Sequence, residues 1–137
     1  MMSTVSIFPD VEVMLMYVLV PLNPGMRIGT KLPSGDPTKI TVRIKRTSGT
    51  NQNILIDSPV VDVDVFGPKA QTGNVSLAAR TIQSQMLSLM SAVVLDANQN
   101  VVGVIQRVTT VQGPRELPEV NQNFVRFAAT FELRVRS

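Results

Sequence analysis

Hydrophobic residues recur along this chain with two different periods, and the switches between them outline its elements. The first run, residues 9–20, has a helical pattern. Pro9 suits a first turn, Asp10 and Glu12 complement the positive end of the helix dipole, and Pro21 and Pro24-Gly25 stop it. Apolar residues cover much of its circumference, which predicts burial on more than one side, against the domain core or a neighbouring subunit. Residues 26–32 read as a short strand and 33–37 as a turn. Residues 39–47 then alternate, with Ile40, Val42 and Ile44 on one face and Thr41, Arg43 and Lys45 on the other.

Residues 48–58 are polar and read as a loop, interrupted by Ile54-Leu55-Ile56. Alternation resumes over 60–66, where Val61, Val63 and Val65 oppose Asp62 and Asp64, and Gly67-Pro68 closes the strand. Helical spacing returns over 69–91 through Val75, Ala78, Ala79, Ile82, Met86, Leu89 and Met90, with Gly73-Asn74 weakening the first turns. Residues 93–95 lead into a turn at 96–100. Residues 101–111 form a strand with a possible bulge at Gly103, and 113–123 a loop with two prolines. The closing strand, 124–136, sets Val125, Phe127, Ala129, Phe131, Leu133 and Val135 against Arg126, Thr130, Glu132, Arg134 and Arg136. The order predicts an α+β fold: a mostly antiparallel β-sheet with two α-helices packed on one face.

Composition narrows the chemistry. At 137 residues the chain fits one domain, with 44% hydrophobic and only 4% aromatic residues, so the core must be built from Val, Ile, Leu and Met. The absence of cysteine removes disulfides and thiolate chemistry, and the absence of histidine removes the usual neutral-pH base and the commonest zinc ligand. No basic residue precedes Arg27, and the apolar stretch over 13–20 is too short to cross a bilayer, so a soluble protein made in a cytoplasm, with no secretory signal and no membrane partner, is expected. The net charge is +3. Residues 1–68 hold six bases and six acids and residues 69–137 hold seven and four, a thin footprint for a nucleic-acid binder.

Asp62 and Asp64 form a closely spaced carboxylate pair on one strand face. A hard cation needs more oxygen ligands than two carboxylates supply, and acid/base catalysis needs one raised pKa, so a solvated or subunit-facing sheet surface is favoured over a catalytic site. Arg43 and Lys45 with Arg126, Arg134 and Arg136 read as ordinary polar alternation, with no aromatic interleaved to make a stacking platform. The glycine-bearing turns lack a phosphate-loop lysine, and no nucleophile pattern is visible. No enzyme activity, cofactor or metal is expected.

Four stretches in order resemble the tail-terminator (tail completion) proteins of long-tailed phages with non-contractile tails, especially those of actinobacterial hosts. They are Phe8-Pro9-Asp10-Val11-Glu12, Val61-Asp62-Val63-Asp64-Val65-Phe66, Val111-Gln112-Gly113-Pro114-Arg115-Glu116-Leu117-Pro118-Glu119, and Arg126-Phe127-Ala128-Ala129-Thr130-Phe131-Glu132. The resemblance implies a structural virion protein that forms a hexameric ring at the head-proximal end of the tail tube. Such a ring stops tail polymerisation and offers its other face to the head connector. Its partners would be copies of itself, the major tail tube protein and the connector proteins, with DNA only passing through the lumen. Asn51, Asn53, Ile54 and Leu55 in one loop, and Pro114, Arg115, Glu116 and Leu117 in the other, are the expected subunit or ring contacts, and Asp62 and Asp64 the expected lumen-facing residues. Another head-tail joining or minor tail protein, or a small nucleic-acid-binding domain, is the alternative. The last predicts binding that falls steeply with salt.

Overall fold

A computed structural model describes residues 7–32, 38–51, 53, 55–119 and 123–137. The expected turn at 33–37 and residue Ile54 lie outside the described residues. The chain forms helix α1 (Val11–Leu22), strands β1 (Arg27–Gly29), β2 (Thr41–Asn51) and β3 (Ile56–Pro68), a 3-10 turn (Lys69–Gln71), helix α2 (Thr72–Leu87), and strands β4 (Ala92–Leu95), β5 (Val101–Leu117) and β6 (Phe124–Arg136). This is the expected α+β class. The strands form one sheet in the order β1-β2-β3-β6-β5-β4, parallel between β1 and β2 and antiparallel elsewhere.

Both helices lie on one face of the sheet. Met14, Leu15 and Leu19 of α1 and Val75, Ile82 and Met86 of α2 join Val61, Val63, Phe131, Leu133 and Val135 in a single buried cluster. Helix α2 packs across β3, β6 and β5, the middle of the sheet, whereas α1 touches β1 and β2 near one edge and β4 at the other. Laid flat, six strands would put those edges five spacings of about 4.8 Å, or roughly 24 Å, apart. A helix is only about 10–12 Å across. The sheet therefore curls, and α1 closes the gap between its ends.

Helix α1 begins two residues later than the sequence suggests. Asp10 is its N-cap, accepting from the backbone N–H of Glu12 (3.0 Å) and Val13 (3.4 Å), so Pro9 precedes the cap instead of opening the first turn. Its far end overruns Val20. Pro21 sits inside the last turn, and Asn23 caps that end: its N–H donates to Val20 and its Nδ2 to Leu19. Replacing Asp10 with Ala should cost about 1 kcal/mol, read as a shift in the urea midpoint with an unchanged slope. An unchanged midpoint would show the cap to be idle.

Three further boundaries differ from expectation, each for a local reason. Strand β2 continues through Ser48, Gly49, Thr50 and Asn51, paired with β3 from Val60 back to Asp57, so most of the expected loop is hairpin. A bulge between Arg46 and Ser48 breaks the alternation that would have shown it. Strand β5 runs on through Pro114 to Leu117 and so absorbs the front of the second expected loop. Pro114 is tolerated because β5 is uncovered on its far side there and the register skips between Gln112 and Arg115. Helix α2 ends at Leu87, which leaves Met90, assigned by spacing to the buried face, 73% exposed. The irregularity expected at Gly103 is present: Val94 pairs with Gly103 but Leu95 with Val101, leaving Val102 as the extra residue.

Candidate interaction surfaces

The sheet face away from the helices is polar but not fully solvated. Register places Arg43 of β2 directly across from Asp64 of β3, with Ala128 of β6 on the other side. The Asp64 side chain is buried, and its carboxylate binds two arginines from different strands. Oδ2 accepts from Arg43 Nε (3.1 Å) and Nη2, and Oδ1 accepts from Arg126 Nη2 at 3.2 Å. Arg126 also approaches Glu119 (3.7 Å) and lies over the Phe66 ring, 5.8 Å from its centroid. Asp62 is half-buried and accepts a 2.8 Å hydrogen bond from the Thr130 hydroxyl.

The two aspartates are thus engaged by separate partners and do not act as a carboxylate pair. Among the described residues, no group of three or more His, Cys, Asp or Glu is placed to hold a metal ion. The expectation that no aromatic shares this face is corrected. Phe66 and Phe124 lie on it, with ring centroids 6.0 Å apart at 61°. Phe66 is buried, so it anchors Arg126 and offers no open stacking surface. Register also brings Lys45, Arg107, Arg115, Arg134 and Arg136 to this face, against Asp62, Asp64 and Glu132, so cations outnumber carboxylates there. Arg107 and Arg134 stand directly opposite each other.

The remaining expected contact residues fall in two places. At the β2–β3 tip, Asn51 is exposed at the strand end and Asn53 Oδ1 accepts from the N–H groups of Leu55 (2.7 Å) and Ile56 (3.0 Å), which presents Leu55 to solvent at 61% exposure. The base of that hairpin is held by a two-pronged ion pair, Arg46 Nη1 and Nη2 to Asp57 at 2.7 and 3.0 Å. The Glu12 carboxylate of α1 accepts from the Arg46 backbone N–H at 2.8 Å. A side chain so placed occupies a donor on an open strand edge and blunts it against pairing. The second group, Pro114 to Leu117, does not form a loop: Arg115, Glu116 and Leu117 pair with Ala128, Phe127 and Arg126.

Two features were not read from the sequence. One is a reciprocal amide pair, in which Asn23 Nδ2 donates to Gln85 Oε1 (2.7 Å) and Gln85 Nε2 to Asn23 Oδ1 (3.1 Å), tying α1 to α2. Neither residue stands in a pattern that would mark it. The other is an open groove of about 670 Å³ between α1 and β4, lined by Tyr17, Val20, Pro21, Val93, Leu95 and Asp96 among others. The apolar circumference of α1 gave a signal for it. Burial takes one side only, and Tyr17 and Val20 remain 39% and 45% exposed.

No described helix is long and apolar enough to cross a membrane. Curled sheet, covering helices and apolar groove define an α+β domain with an exposed apolar groove and a polar outer sheet face. Its fold is similar to that of a chain in the virion of a native gene transfer agent particle, with a TM-score of 0.60 and 14% identity over 88% of this chain and 85% of that one. A search of curated proteins finds no relative by sequence. The family described as phage tail termination protein matches residues 7–137, and the chain belongs to it. It is a structural protein of a phage tail.

Proposed function

We propose that residues 1–137 act as one unit that assembles with copies of itself, as a hexamer, into a ring on the head-proximal end of the tail tube. The ring stops addition of further tube subunits and offers its opposite face to the head connector. The single observation that carries this reading is the family match across residues 7–137. Terminating a polymer is geometric work: one surface copies the contact that the next tube ring would make, and the other lacks the site for further addition. Exposed apolar side chains beyond the finished core are suitable material for such contacts.

The partners under this reading are the major tail tube protein on one side and the connector proteins on the other. DNA only passes through the lumen, and no membrane is involved. The β2–β3 tip with Asn51, Asn53 and Leu55, and the β5 end with Pro114, Arg115, Glu116 and Leu117, are the proposed subunit or ring contacts, together with Ile54, which lies outside the described residues. Asp62 and Asp64 are the proposed lumen residues. Asp64 lies beneath Arg43 and Arg126, so the potential of such a lumen would be set by the whole outer sheet face.

Electron microscopy of phage made without this protein tests the reading. Tails of uncontrolled length, or finished tails unjoined to heads, are expected. Normal joined particles, or labelled protein found away from the head-tail junction, would overturn it.

A further inference from the structure

We propose that the groove between α1 and β4 receives the outward face of α2 from a second copy of this chain, a head-to-tail contact that rests on the ring reading above. The two surfaces match in chemistry. The groove presents Tyr17, Val20, Val93 and Leu95, and among the described residues of its lining Asp96 is the one that is charged. The outward face of α2 carries Leu77, Leu87 and, just past the helix end, Met90, exposed by 54%, 43% and 73%. Arg80 is the one charged residue among the exposed positions of that helix, and no described ion pair engages it.

That face is mixed, since Gly73, Asn74, Ser84 and Ser88 are also exposed on it, but its apolar anchors and single cation complement an apolar trough with a single carboxylate. Asp96 is already oriented. Its Oδ1 accepts from the backbone N–H groups of Asn98 and Asn100, both at 2.9 Å, which holds the carboxylate at the groove's rim. Between Leu77 and Leu87 the helix shows Ser84, small enough to let the neighbour's Tyr17 ring approach closely. The long open edges of β2 and β5 are poorer candidates for joining copies. Glu12 occupies one, and bulges and Pro114 break the other. Because the two matched surfaces are different patches of one chain, each joined pair keeps one of each free. That is the heterologous contact which closes into a ring when the rotation allows.

The test uses Leu87→Asp, which spoils the helix face and spares the groove, and Val93→Asp, which does the reverse. Both side chains are exposed, so both variants should fold like the wild type, read as an unchanged circular dichroism spectrum. Analytical ultracentrifugation should show wild-type oligomers, each variant alone as a monomer, and an equal mixture as heterodimers and nothing larger, since one intact face of each kind remains per pair. Asp96→Asn keeps the turn acceptor while removing the charge, and should weaken self-association roughly tenfold. A wild type that stays monomeric at every concentration, a variant that assembles unaided, or a mixture that stays monomeric would each overturn the proposal. These outcomes leave the terminator reading standing. That reading falls instead if phage lacking the protein carry normal, joined tails, a result that does not touch the groove.

Discussion

Asp64→Ala should destabilise the fold by about 3–5 kcal/mol, the range for removing one partner from a buried charge group, whereas Asp62→Ala should cost about 1 kcal/mol, a lost hydrogen bond. The two residues are alike in sequence context and differ in what register brings to them. Asp64 is 1% exposed and is bound by two guanidinium groups, and Arg43 and Arg126 are themselves only 18% and 28% exposed in their side chains. With the carboxylate gone, two like charges share one patch without an anion between them. Arg126 already has an Nε with no described partner. Asp62 by contrast loses the Thr130 hydroxyl, which can turn toward water.

A loss of that size lowers the melting temperature by on the order of 10 °C in a chain of this length. Replacing all three members together, Arg43 and Arg126 by Met and Asp64 by Leu, should be far milder, because the one carboxylate that loses its arginine, Glu119, is 21% exposed and can turn to water. Urea unfolding of the four proteins decides the matter. Equal, small losses for the two single aspartate variants would show that the Asp64 group is solvated and contributes little.

That difference between Asp62 and Asp64 marks where the sequence stops being readable. Both stand at alternate positions of one strand, and alternation correctly assigned Val61, Val63 and Val65 to the core. It cannot tell which of two outward carboxylates will be covered. That depends on Arg43, one strand away, and on Arg126, 62 positions along the chain, arriving across β3 from opposite sides.

The same logic separates the elements. Strand β6 was legible over its full length, 124–136, because alternation runs unbroken for thirteen residues. The buried positions of α2 were equally clear through Val75, Ala78, Ala79, Ile82 and Met86. Strands β2 and β5 were cut short because bulges shift the period by one residue, so that the far half of each strand no longer continues the near half. The groove lay partly in view. The apolar surplus on α1 pointed to burial on more than one side, by the core or a neighbour, but only the curl that brings β4 against the same helix shows where the groove is.

Gly49→Ala should cost about 3 kcal/mol, the second largest effect expected here. It sums the left-handed penalty of about 1–2 kcal/mol for a residue with a Cβ and about 1–3 kcal/mol for overpacking. Gly49 has φ of +101°, and a Cβ there would collide with the Ser58 carbonyl oxygen and come within 2.7 Å of Pro59 Cα and 2.8 Å of Val60 N. All three are backbone atoms of the facing strand, so no rotamer change relieves the overlap. The hairpin has to open or slip. Gly73→Ala is the matched control: that glycine lies in α2 with nothing within 4 Å of its added Cβ, and the change should stabilise the protein by about 0.5–1 kcal/mol. Because the damage at Gly49 is local, hydrogen exchange should accelerate first at Thr50 and Asn51 and along the β3 stretch facing them, with α2 and β6 protected until global unfolding. Uniform acceleration across the chain, or a loss under 1 kcal/mol, would mean that the close approach of Gly49 to the facing strand does not hold the hairpin tip.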